Sequence, residues 1–187
     1  MRADGGVGRG GQGFDRPLRK GDRFSLVGGR INMEPPLRSM GMTNMNATVV
    51  AVNISGNKGR KKVPVDSVVL KENHGIVGDA HAGDWRRQVS LLAIESIEKM
   101  RLRGLTLGSG DFAENITTRG IGLPTLPLGA KVGMGDAVIE VTQIGKECHE
   151  RCAIYEMAGD CIMPREGIFA MVIRGGTVRP GDEIVLL

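Results

Sequence analysis

A chain of 187 residues with 41% hydrophobic and only 3% aromatic residues holds enough for one core, built from Val, Ile, Leu and Met, and does not require two. It contains no run of 18 apolar residues and no apolar stretch in its Gly-rich opening, which excludes a helical membrane span and a secretory leader and points to the cytoplasm. The net charge of +4 is no signal for nucleic acid, because the first 45 residues carry 8 Lys/Arg against 4 Asp/Glu and the remainder holds 17 of each.

Residues 1–45 are Gly- and Arg-rich without a sustained hydrophobic period, and such a segment buries too little apolar surface to offset its ordering entropy. The sequence therefore predicts a disordered basic extension over 1–45 and one folded domain over 46–187. It lacks repeated RGG units and aromatics for base stacking, so a solvated tail is expected there and not an RNA-binding one.

From Asn46 the texture changes. ATVVAVNIS reads as a first strand, GNKGRKK as a basic turn, and VPVDSVVLKE as a second strand with Pro64 near its start. Lys58, Arg60, Lys61 and Lys62 are expected in a solvated loop, with an anion site as the alternative. GIVGDAHAGDW places His81, two aspartates, three glycines and the only Trp in eleven residues, the composition of a shaped loop. QVSLL then predicts a strand and AIESIEKMRL an amphipathic helix. Arg86 and Arg87 either flank that strand in water or hold an anion in their guanidinium forks. FAENIT predicts a short strand carrying Asn115, whose amide caps a turn or meets the edge of a heterocycle. VGMGDAVI and VRPGDEIV share a V-x-x-G-D pattern and predict two hairpins of one sheet, with Pro180–Gly181 at the centre of a type II turn. IFAMVIRGG supplies another strand. The fold class expected is mainly β, a closed or partly closed antiparallel barrel with two or so short helices.

All three cysteines lie in KECHERCAIYEMAGDC. A thiolate is the reactive form of cysteine, and here His149 follows Cys148 and Arg151 precedes Cys152, so cationic groups adjoin two of the sulfurs. Three small buried hydrophobes are the plain alternative. A helix over Cys148–Ala158, stopped by Gly159, would put Cys148 and Cys152 on one face with His149 about 100° away. Three sulfurs with a misplaced histidine and no C-x2-C knuckle argue against structural zinc, and an odd cysteine count argues against a disulfide framework.

HAGDWRRQVSLL, DFAENIT, G-x-x-C-H-x-R-C and MPREGIFAMVIRGGTVRPGDEI, in that order, resemble the MOSC domain, named for the C-terminal domain of molybdenum cofactor sulfurase. The likeness spans about 46–187 and is to the small stand-alone bacterial type. It implies a β-barrel and sulfur or molybdenum chemistry. By resemblance Cys152, in its Arg-Cys pair, carries persulfide sulfur or ligates molybdenum, and Asn115 lies beside the pterin of the molybdenum cofactor. Arg86, Arg87 and His81 are the further cofactor candidates, with Cys148, Cys161, His149 and Arg151 assisting the thiol. The resemblance implies a cysteine desulfurase partner, which would hold the pyridoxal phosphate, and a molybdoenzyme client. Two alternatives stay open: a molybdenum-dependent reductase of N-hydroxylated compounds, and a non-catalytic cofactor-binding module.

Overall fold

The computed structural model describes residues 25–27, 30–32, 47–146 and 153–187. The chain divides into two units, Met1–Asn44 and Met45–Leu187. In the first unit β1 (Ser25–Val27) and β2 (Arg30–Asn32) pair antiparallel, with Leu26 opposite Ile31.

The second unit is mainly β. Its strands are β3 (Thr48–Ile54), β4 (Val63–Val65), β5 (Val68–Lys71), β6 (Gly75–Ile76) and β7 (Val89–Ala93), then β8 (Ile116–Arg119), β9 (Lys131–Met134) and β10 (Ala137–Ile144), and finally β11 (Ile168–Arg174), β12 (Gly176–Val178) and β13 (Ile184–Leu186). Among the described residues three short helices join them: α1 (Ile94–Arg101), α2 (Ala153–Ala158) and α3 (Met163–Glu166). An eight-stranded sheet runs β13-β9-β10-β11-β7-β8-β3-β4, and a three-stranded one runs β12-β5-β6. Every pairing is antiparallel except β7 with β8. That parallel pair requires a crossover, and α1 supplies it. At the other side, Thr48 bridges Glu183, and Val49 N–H donates to the Asp182 carbonyl at 2.9 Å while Ile184 N–H donates to that of Ala47 at 2.7 Å. No described helix is long and apolar enough to cross a membrane.

All five residues of β7 are buried because the strand stands between two cores. Val89, Leu91 and Ala93 face one that includes Val52, Ile116, Ile139 and Ile168. Leu92 faces the other, with Ile97 and Met100 of α1 and with Phe112, Ile154, Cys161, Met163 and Phe169. Truncating Leu91 or Leu92 to Ala would cost about 2–5 kcal/mol by the usual cavity penalty. The second core also floors the site described below.

Several local expectations change. VPVDSVVLKE is two strands in different sheets, β4 and β5, broken at Asp66–Ser67, so the run of β-formers hides a corner. FAENIT is a strand only from Ile116; Ala113 sits at φ +61°, and the Glu114 carboxylate accepts from Gly110 N–H at 2.5 Å and Phe112 N–H at 3.2 Å, closing a turn on itself. VRPGDEIV does turn at Pro180–Gly181, with Gly181 at φ +92°, but β12 and β13 belong to different sheets and form no hairpin. The predicted helix ends as expected, with Gly159 at φ +69° donating its N–H to the Tyr155 carbonyl at 2.8 Å. Its expected start at Cys148 lies outside the described residues.

Candidate functional site

A cavity of ≈ 620 Å³ opens over the second core. Trp85, Phe112, Ile154, Met163 and Phe169 give it an apolar floor, and Arg60, Lys61, Arg87 and Lys146 give it cations. Asp111 is the one carboxylate on the lining among the described residues. It pairs with Lys61 Nζ at 2.8 Å and accepts from Gly108 N–H at 2.7 Å. Burial alone would raise this carboxyl; Lys61 and the Gly108 N–H outweigh burial and hold it below the ordinary range. Arg60, Arg87 and Lys146 have no carboxylate partner among the described residues. The lining is thus cationic, and a cleft lined by one sign of charge attracts an anion. Its volume falls within the usual range for small-molecule sites, about 300–1,000 Å³.

The turn after β6 delivers His81 and Trp85, and an ion pair beneath fixes that turn. Lys62 Nζ contacts Asp79 Oδ2, with the two side chains 1% and 0% exposed. Asp79 also accepts from Ser55 N–H at 3.1 Å and His81 N–H at 2.9 Å. Burial pushes this carboxyl up, but His81, Lys62 and the Ser55 N–H together hold it well below the ordinary range. Burial lowers Lys62, and Asp79 opposes that shift. The expectation of a solvated Lys58–Lys62 loop therefore fails at Lys62, whose partner lies 17 residues further along. Trp85 Nε1–H donates to the His81 carbonyl at 2.8 Å, and its ring faces the Arg87 guanidinium.

Asn115 lines the cavity, yet its amide is committed to the fold. Its Oδ1 accepts from Ser90 N–H at 3.2 Å and Ser90 Oγ–H at 3.0 Å, and its Nδ2 donates to the Asn53 carbonyl at 3.2 Å. These bonds bind β7, β8 and β3 together at the cavity edge. Burial raises the neighbouring Glu114 carboxyl, against the Gly110 and Phe112 N–H groups and the Thr117 hydroxyl.

His81, Arg87, Asn115 and Cys161 are thus brought together on one lining. Arg86 is not: its side chain is exposed, and its carbonyl accepts from the Thr142 hydroxyl. Cys161, 8% exposed, follows Asp160, whose carboxylate is gripped by Arg165 and Arg103. Cys148, His149, Arg151 and Cys152 lie outside the described residues. The chain on either side of that stretch, at Lys146 and Ile154, lines the cavity. Sequence reading passes over Lys146, Phe112, Phe169 and Met163. The scarcity of aromatics is the signal that finds some of them: of one Trp, four Phe and one Tyr, the cavity takes Trp85, Phe112 and Phe169.

A family model, that of the MOSC domain, matches residues 78–185. Among solved structures, the YuaD protein from Bacillus subtilis shares the fold at a TM-score of 0.62 and 20% identity, over 74% of this chain and 93% of that one. YiiM from Geobacillus stearothermophilus gives 0.57 at 20% identity, over 75% of each chain. YiiM from Escherichia coli gives 0.54 at 20%, over 76% of this chain and 68% of that one. At such identities the likeness is one of fold. No curated protein matches this chain.

Proposed function

Since this chain belongs to the MOSC domain family, we propose that its cavity binds the molybdenum cofactor, a phosphate-bearing pterin, and that Cys152 holds sulfur for that cofactor's sulfuration or delivery. The observation that carries the reading is a cavity with three cations lacking carboxylate partners among the described residues, set over an aromatic floor. A flat, anionic heterocycle fits that combination in size and charge. Arg87, Arg60 and Lys146 would take the phosphate; Trp85, Phe112 and Phe169 would pack on the ring. When bound, the group supplies a molybdenum centre for oxygen- or sulfur-atom transfer. The bridge at Thr48–Glu183 and its flanking bonds support a barrel closed between β3 and β13.

The sulfur step needs no oxidant. The Cys152 thiolate attacks the terminal sulfur of a persulfide on a cysteine desulfurase; that donor's S–S bond breaks, a new S–S bond forms on Cys152, and the donor leaves as its thiolate. Arg151, adjacent in sequence, favours the ionised sulfur. The pyridoxal phosphate chemistry that makes the persulfide belongs to the desulfurase.

Intact mass, before and after mild reduction, tests this on protein incubated with a cysteine desulfurase and cysteine. The expected result is a reducible gain of one sulfur that Cys152→Ser abolishes. Full gain in that variant sinks the assignment to Cys152. No gain in the wild type sinks the carrier role; molybdopterin found in the same sample would then favour the reductase or cofactor-binding module.

A further inference from the structure

Lys62 and Asp79 stand behind the cavity wall and line none of it. As core filling they have no advantage, since replacing a buried ion pair by well-packed apolar residues is often neutral or stabilising. What apolar residues cannot do is fix a ring nitrogen. Lys62 Nζ lies 3.3 Å from His81 Nδ1, and Asp79 Oδ1 holds the His81 main-chain N–H at 2.9 Å. Asp79 Oδ1 is farther from the ring, at 3.5 Å from Nδ1. An ammonium carries donors and no lone pair, so the nitrogen facing it must accept. In the neutral ring the proton then resides on Nε2. His81 lines the cavity, its side chain is 28% exposed, and Nε2 has no partner among the described residues.

We infer that Lys62 and Asp79 are positioning residues that hold His81 as its Nε2–H tautomer, so that the cavity offers one uncharged donor to an acceptor oxygen of its ligand, whether a phosphate oxygen or a ring carbonyl. Among the described residues, the other strong donors on the lining are the cations Arg60, Lys61, Arg87 and Lys146, which select for charge. A neutral, directional donor selects for orientation. The ligand role rests on the cofactor reading above; the tautomer does not.

Two-bond proton–nitrogen NMR on the full, uniformly labelled chain at about pH 8, above the ordinary imidazole range, reads the tautomer, with His81→Gln assigning the signal among the three histidines. An Nε2–H pattern is expected; an Nδ1–H pattern or an averaged one overturns the inference. In Lys62→Met the Asp79 carboxylate becomes the partner of Nδ1, so the pattern inverts. An unchanged pattern in folded Lys62→Met also overturns it. If that variant does not fold, the doubly apolar Lys62→Met/Asp79→Leu protein should lose the tautomer preference, and the wild-type spectrum already decides the main point. Titration with inorganic phosphate and with 6-hydroxymethylpterin, which lacks phosphate, then separates the two acceptors by which one shifts Nε2–H. His81→Phe should weaken binding of that probe about 2- to 10-fold, the range for one net hydrogen bond. Binding of either probe with Nε2–H unmoved refutes the donor role. No binding of either probe to the wild type sinks the cofactor reading and the donor role with it, while the tautomer result stands apart.

Discussion

The guanidinium carbon of Arg87 lies 5.0 Å from the centre of the Trp85 ring. The Phe169 ring is 6.0 Å from the same atom. Two aromatic rings brace the cation, and no carboxylate among the described residues neutralises it. A braced guanidinium loses little further freedom when its donors meet an oxyanion, which strengthens the fork. Arg87→Ala should weaken binding of inorganic phosphate about tenfold or more, as loss of a charge-assisted hydrogen bond does. Arg87→Lys should fall between that variant and the wild type, since it keeps the charge and loses the planar fork. Calorimetry at low and moderate salt measures both, and equal affinity in all three proteins would remove Arg87 from the site.

The Lys62–Asp79 pair predicts a stability change with a defined pH dependence. Asp79→Asn leaves Lys62 buried without its counter-charge, a loss of about 3–5 kcal/mol near neutral pH. The Asp79 carboxyl is held below its ordinary value of 3.8, so its contribution is present above that pH and disappears as pH falls through the folded value. Glu114 acts with the opposite sign. Its carboxyl is raised by burial, so the folded state binds that proton more readily and gains stability as pH falls. Comparing Asp79→Asn with wild type cancels the Glu114 effect. Urea unfolding at a series of pH values should show the gap between the two proteins widest above about pH 4 and shrinking below it; a gap independent of pH would contradict the assignment.

The contrast between Leu92 and Lys62 shows what a sequence reveals of this fold. AIESIEKMRL announces α1 because burial there follows local periodicity, with Ile94, Ile97 and Met100 on one stripe of the helix, and QVSLL announces β7 as a short apolar run suited to a strand buried on both faces. Lys62 looks like any member of a basic turn, because the residue that buries it, Asp79, arrives on a different strand connection. FAENIT misleads for a related reason: its apolar residues suit a strand, while Glu114 is spent closing the turn that brings Phe112 to the cavity. Asn115 is visible as an oddity among apolar neighbours, but Ser90 and Asn53, which claim its amide, come from distant segments. Composition reveals which residues are unusual. Only pairing across strands decides whether each one faces the ligand or supports the wall.

Gly145, just before Lys146 of the cavity, predicts a local backbone constraint. Its φ is +67°, its N–H donates to the Gly167 carbonyl at 2.7 Å, and a Cβ there would collide with the Pro164 carbonyl. Gly129 has a similar φ of +84°, but a Cβ there meets nothing within 4 Å. Gly129→Ala should cost about 1–2 kcal/mol, the left-handed penalty alone. Gly145→Ala should cost more, about 2–4 kcal/mol, because main chain must also move. Urea midpoints of the two variants decide; equal losses would mean that the close approach at Pro164 contributes nothing.

Asp160 ties the second core's helices to the loop after α1. Arg165 Nη1 and Nη2 donate to its two carboxylate oxygens at 2.9 and 2.7 Å, and Arg103 Nη1 donates at 2.9 Å. The Arg165 guanidinium, helped by the Cys161 N–H and Arg103, holds the carboxyl well below its ordinary range. Surface ion pairs contribute little to global stability, and salt screens them. Their effect here is local, since Cys161 and Met163, directly after Asp160, line the cavity. Asp160→Ala should speed amide exchange at Cys161 and at Arg165, whose N–H donates to the Ile162 carbonyl at 3.0 Å, and leave the β10–β11 ladder protected. High salt should produce part of the same effect in the wild type. Unaltered exchange at both amides would show that the cavity wall keeps its shape without the clip, and acceleration spread through β10 and β11 would show a global loss of stability.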